Sequence, residues 1–85
     1  MDLTKLKYFL RICEENNISK AAQGLFLTQQ GLSKAIISLE KELTVPLFYR
    51  TSEGMVLTKY GEAIKEEAQR ILSSENKMRE SIRSL

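Results

Sequence analysis

Helix-starting residues punctuate this chain at four places, and each stands just ahead of apolar residues at helical spacing. They are Asp2, Ser19, Thr28 and Thr58, side chains that accept hydrogen bonds from the free N–H groups of a first turn. After Asp2, the residues Leu3, Leu6, Phe9, Leu10 and Cys13 define one face of a helix of about four turns, which Asn16-Asn17 ends. Ser19 opens a short helix through Lys20-Ala21-Ala22-Gln23, with Gly24 near its end, and Phe26-Leu27-Thr28 makes a tight connection. Thr28 caps a third helix over 29–43, whose Leu32, Ile36, Leu39 and Leu43 lie within about 60° of one another. Two helices joined by so short a turn form a helix-turn-helix, and the small pair Ala21-Ala22 lets them cross closely.

Pro46, the only proline, stops the third helix. Two short β-prone runs follow, Leu47–Thr51 and Met55–Thr58, around Ser52-Glu53-Gly54. This predicts a hairpin, and a hairpin directly after a helix-turn-helix is a wing. Thr58 then caps a helix from Lys59 to the end, roughly 40 Å long at 1.5 Å per residue. Along it Ile64, Ala68, Ile71, Met78, Ile82 and Leu85 are spaced four, three, seven, four and three, with Glu75 in the one missing slot. Such an a/d seam needs a partner along its length. The small domain can cover only its first turns, so the seam predicts a homodimer; the alternative is intramolecular packing with a frayed end.

The expected fold is therefore mainly α: a winged helix-turn-helix over 1–58, with a three-helix core and short β-hairpin wing, and a long C-terminal linker and dimerisation helix over 59–85. Composition narrows the function by exclusion. Cys13 has no disulfide partner in the chain, and there is no histidine, so a zinc cluster lacks ligands and a thiol nucleophile lacks its usual base. No Gly-rich phosphate loop occurs, and Glu14-Glu15 and Glu66-Glu67 are neighbours on helices that point apart. No catalytic residue, cofactor or metal is expected, and Cys13 reads as a buried small hydrophobe. No apolar run approaches a membrane span, and the start, Met1-Asp2-Leu3, has no signal-peptide pattern, so the expected compartment is the cytoplasm.

The net charge is only +2. Residues 1–58 carry seven Lys/Arg against six Asp/Glu, and 59–85 six against five, within totals of 13 and 11. There is no polybasic arm, so a nucleic-acid reading has to rest on geometry. On a helical wheel Gln30, Lys34, Ile37 and Lys41 oppose the core stripe of the third helix, with Ser33 on the flank. Its first turn is compact and polar, and Gly31 keeps one face low. Long amide and cationic side chains here suit the major groove, since Gln can pair with adenine and Lys can donate to guanine. A merely solvated surface gives the same wheel, so both readings stay open at this point.

The stretch Asn17-Ile-Ser-Lys-Ala-Ala-Gln-Gly-Leu-Phe-Leu-Thr-Gln-Gln-Gly-Leu-Ser-Lys34, with Ile36, Leu39-Glu40, Leu43-Thr-Val-Pro-Leu-Phe-Tyr-Arg-Thr51 and Leu57-Thr-Lys-Tyr-Gly-Glu62, resembles the N-terminal domain of LysR-type transcriptional regulators. The resemblance covers essentially the whole chain. It implies sequence-specific binding to double-stranded promoter or operator DNA, with helix 29–43 in the major groove. It also implies a dimer paired through the linker helix by Ile64, Ala68, Ile71, Met78 and Ile82, and a C-terminal effector-binding domain absent here. The chain stops in mid-heptad at Leu85, as a fragment of a longer protein is expected to. By position, Gln29, Gln30, Ser33 and Lys34 match the base-reading turn, while Thr28, Arg50, Thr51 and Thr58 match positions near the phosphate backbone.

Several residues depart from the family's pattern. Gln30 stands where a Pro or small residue is usual, which adds a reader. Ile37 and Ser38 replace arginines common midway along the recognition helix, and Glu53-Gly54 replaces a basic wing. Thr44 takes the place of the usual glycine after the third helix, so a left-handed cap is not expected there. The loss of charge at Ile37, Ser38 and Glu53 supports one alternative, a winged helix that binds a protein partner and holds DNA weakly.

Overall fold

The computed structural model describes residues 1–85. In chain order it has α1 (Leu3–Glu15), α2 (Ile18–Gly24), α3 (Gln29–Leu43), β1 (Phe48–Thr51), β2 (Gly54–Leu57) and α4 (Lys59–Arg83). This is the winged helix-turn-helix that the capping residues and apolar spacing predict. Asp2, Thr28 and Thr58 each accept a first-turn N–H, from Lys5, Gly31 and Gly61. Ser19 does not. The cap of α2 is Asn17, whose Oδ1 accepts from Lys20 N at 2.9 Å. The helix starts two residues earlier than the serine requires, because Ile18 is buried and must enter the core as its first helical residue.

Buried Leu6, Phe9 and Ile12 from α1, Ala21 and Ala22 from α2, and Leu32, Ile36 and Leu39 from α3 make the centre of the core. Ile12 is fully buried although it lies off the stripe first read in α1, since α1 packs on α2, α3 and α4 together. Cys13 is half-buried, and burial pushes its thiol up to about 11. Leu47, Phe48 and Met55 close the core from the wing side, with the Phe9 and Phe48 rings 5.4 Å apart.

Thr44 overturns one expectation. It adopts a left-handed conformation with φ 61°. Its N–H and that of Val45 both reach the Glu40 carbonyl, which closes the last turn of α3 as the chain turns into Pro46. That geometry needs positive φ, and the satisfied carbonyl offsets a strain of about 1–2 kcal/mol for a residue with a Cβ. Phe26 does the same after α2, with φ 58° and with Leu27 N bonded to Ala22 O at 2.9 Å.

The hairpin pairs Phe48 with Leu57 and Thr51 with Gly54, leaving Ser52 and Glu53 as the two-residue tip. Leu47 and Thr58 flank the strands, joined by Thr58 N donating to Leu47 O at 3.0 Å, and each also reaches another segment. Leu47 N donates to Glu40 Oε2 at 2.6 Å, and Thr58 Oγ1 donates to Pro46 O at 2.6 Å. Gly54 has φ 127°, and a side chain there would strike the Asn16 carbonyl, which accepts from Met55 N at 3.2 Å. The wing is thus fastened to the corner between α1 and α2. Gly61 is equally constrained, since a Cβ would collide with the Leu47 carbonyl. The start of α4 is no break in packing: Gly61 and Ala68 are buried, and Ile64 lies against the core. Beyond them α4 projects, giving a longest dimension of 49 Å.

Candidate nucleic-acid interface

The first turns of α3 project from the domain because Thr28 caps them and Leu32 and Ile36 pin the opposite face into the core. Gln29, Gln30 and Lys34 are exposed and Ser33 is half-buried. With Ile37 and Arg50 they line a single open cleft. Arg50 reaches it from β1, and its Nη2 donates to Ser33 Oγ at 3.0 Å. The structure therefore brings the four residues expected to read bases and one of those expected near phosphates onto one surface.

The other expected phosphate positions separate. Thr28 is exposed, but its Oγ1 already accepts from Gly31 N at 3.0 Å. Thr51 is exposed at the wing, where its hydroxyl donates to Gly54 O and accepts from Glu53 N, bracing the tip. Thr58 is not at the surface at all. It is 2% exposed, and its Oγ1 donates to Pro46 O and accepts from Gly61 N.

Of the two residues that replace arginines, Ile37 faces the cleft at 45% exposure. Ser38 points to the other side and accepts from Lys5 Nζ at 2.8 Å. One residue on from Ile37 is a turn of about 100°, enough to carry Ser38 over to α1. Its substitution therefore does not remove charge from the cleft. Glu53 stands exposed at the wing tip, as expected. A second cleft separates that tip from Asn17 and Ser19 at the start of α2.

The seam on α4 divides in two. Ala68 is buried and Ile64 half-buried against the domain, whereas Ile71, Met78 and Ile82 are 42%, 57% and 65% exposed, and Leu85 is fully exposed. Glu75, in the missing slot, pairs with Arg79, whose hydrogen bond holds the carboxyl below its usual range. No helix is long and apolar enough to cross a membrane.

Three groups escaped the sequence reading. Glu40 accepts from Leu47 N and Phe48 N, joining α3 to the wing. Glu42 receives both the N-terminal ammonium and Lys5, which together lower its pKa, the ammonium more strongly. Ser19 Oγ donates to Gln29 Oε1 at 2.9 Å across the turn. Only the last touches the cleft, and the available signal was Asn17, a better-placed cap that leaves Ser19 free.

A family profile described as "Bacterial regulatory helix-turn-helix protein, lysR family" matches residues 3–62. The chain is 40% identical over 72 residues to the HTH-type transcriptional regulator GalR of Pseudomonas putida, which covers 85% of this chain and 18% of that protein. It is 38% identical over its full 85 residues to the regulator BudR of Klebsiella aerogenes, spanning 59% of it. The chain thus spans a fifth to about three-fifths of these relatives. Among solved structures, a complex of the CbnR DBD with DNA superposes with a TM-score of 0.94 at 33% identity, covering 99% of this chain and 97% of that one. A complex of the BenM DBD with catB site 1 DNA gives the same TM-score and identity, over 99% and 94%.

Proposed function

Since the chain belongs to the lysR family of bacterial regulatory helix-turn-helix proteins, and is a DNA-binding domain of that family, we propose that it reads promoter or operator DNA through the first turns of α3. The observation that carries this assignment is the shared cleft. Gln29, Gln30, Ser33 and Lys34 lie beside Arg50 on one exposed surface, at the end of a helix that can enter a major groove about 12 Å wide.

Gln29, Gln30, Ser33 and Lys34 are the base readers in this proposal, and Arg50, Thr28 and Thr51 flank them near the backbone. Thr58 is left to hold the fold. The exposed half of the α4 seam, Ile71, Met78 and Ile82, supports pairing with a second copy, because an isolated helix with such a stripe gains stability by burying it. The relatives' greater length supports a parent regulator with a further, effector-binding domain, acting in the cytoplasm on DNA and not as a catalyst.

Binding-site selection on this chain tests the reading. A selected motif with two inverted half-sites, about 34–36 Å apart or a multiple of that, is the expected result. Equal, weak retention of all duplexes at low salt would refute base reading and favour the protein-binding alternative that Ile37 and Glu53 suggest.

A further inference from the structure

Two hydrogen bonds at the cleft fix which groups remain to meet a base. Ser19 Oγ donates to Gln29 Oε1, so the carbonyl arm of the amide is held toward α2 and the Nε2 arm is left without a partner in the domain. Arg50 Nη2 donates to Ser33 Oγ, which takes up one of that oxygen's two lone pairs and leaves its proton to donate. Lys34 and Arg50 have donors only. Gln30 has neither arm of its amide engaged within the domain.

We infer that Ser19, by holding the carbonyl arm of Gln29, leaves that residue to read with its donor arm, so that the base facing Gln29 is guanine. The inference rests on the DNA reading proposed above and adds the sense of the hydrogen bonds. Guanine offers two acceptors in the major groove, O6 and N7, whereas adenine pairs an acceptor with a donor at N6. A glutamine free to present both arms suits adenine; one whose carbonyl is held by a neighbouring hydroxyl suits guanine. Ser19 lies outside the base-facing cleft, so it is a positioning residue that acts through Gln29.

The test begins with the selected motif of the 85-residue chain. The position read by Gln29 is the one whose preference disappears in Gln29→Ala. Duplexes differing only there are then compared by fluorescence anisotropy. The parent is expected to favour guanine over adenine about tenfold, within the range for one good base contact, and 7-deazaguanine at that position should remove most of the preference. Ser19→Ala frees the Gln29 amide to rotate, and the guanine-to-adenine ratio should fall toward one, while Ser19→Thr keeps the hydroxyl and the ratio. A merely structural role for Ser19 would weaken both duplexes alike and leave the ratio unchanged, which would overturn the inference. A parent preference for adenine, or a motif untouched by Gln29→Ala, would overturn it too. If the parent selects a motif, only the donor assignment is at stake in these outcomes; if it selects none, the DNA reading fails and this inference with it.

Discussion

Replacing Thr58 with Val removes one hydroxyl and almost no volume, yet two elements depend on that hydroxyl. It accepts from Gly61 N as the cap of α4 and donates to the Pro46 carbonyl at the end of the α3–β1 connection. Loss of an N-cap acceptor costs about 1 kcal/mol. Leaving a carbonyl in this setting without its donor costs about 1–3 kcal/mol more. The sum, about 2–4 kcal/mol, is a large share of the roughly 4–13 kcal/mol expected for a chain of this size. At about 4–8 °C per kcal/mol for a domain this small, Tm should fall by roughly 8–32 °C, read by circular dichroism and urea titration. Thr58→Ser should stay near the parent. DNA affinity should be unchanged for Thr58→Val at a temperature where it is fully folded, because the hydroxyl faces inward. A loss of stability below about 0.5 kcal/mol would refute the dual role. A uniform loss of affinity in the folded variant would return Thr58 to the phosphate contact that family resemblance implies.

Three further outcomes follow from other parts of the molecule. Ile71→Glu puts an unpaired charge into the exposed stripe of α4, typically costing a few kcal/mol in a paired seam; sedimentation should show monomer, and a variant still dimeric at micromolar concentration would exclude this seam. Glu53→Arg at the wing tip should steepen the dependence of log K on log salt by roughly 0.9 per added phosphate contact, so by up to about two for a dimer; an unchanged slope means that the tip does not approach the duplex. Cys13, with its thiol pushed up to about 11 by burial, should react with a disulfide reagent at pH 8 far more slowly than an ordinary thiol near 8.5, and speed up only on unfolding; labelling at the rate of a free thiol in the folded chain would contradict its packing.

What the sequence disclosed followed from local rules. Asp2, Thr28 and Thr58 announced three helix starts, Pro46 announced the stop, and the apolar spacing of α3 named its core face. The positions that escaped were decided by contacts between distant segments. Thr44 and Phe26 take left-handed conformations because carbonyls at Glu40 and Ala22 demand donors, a requirement invisible in residue preference alone. Ser19 lost the cap to Asn17 once Ile18 had to be buried. Thr58 looked like a surface hydroxyl until the chain after Pro46 closed over it, and Ser38 looked like part of the DNA face until Lys5 reached it. Within the cleft, the residue types were legible, but which of their atoms are already engaged was not.

The joint at Thr58 has a mechanical consequence. Its two hydrogen bonds, the tight seat of Gly61 against Leu47 and the bond from Leu47 N to Glu40 leave no slack between α3 and α4. A pair of copies joined along α4 would behave as a fixed caliper, its two tips set apart by the helices' geometry and not by a pliable tether. Operators with the half-sites moved by a single base pair would then have to bend or twist to fit, since the protein could not. The length of α4 is under the same constraint: one residue added between Ala68 and Ile71 would turn the outer half of the stripe by about 100°, and the jaws would no longer face the same side of the duplex.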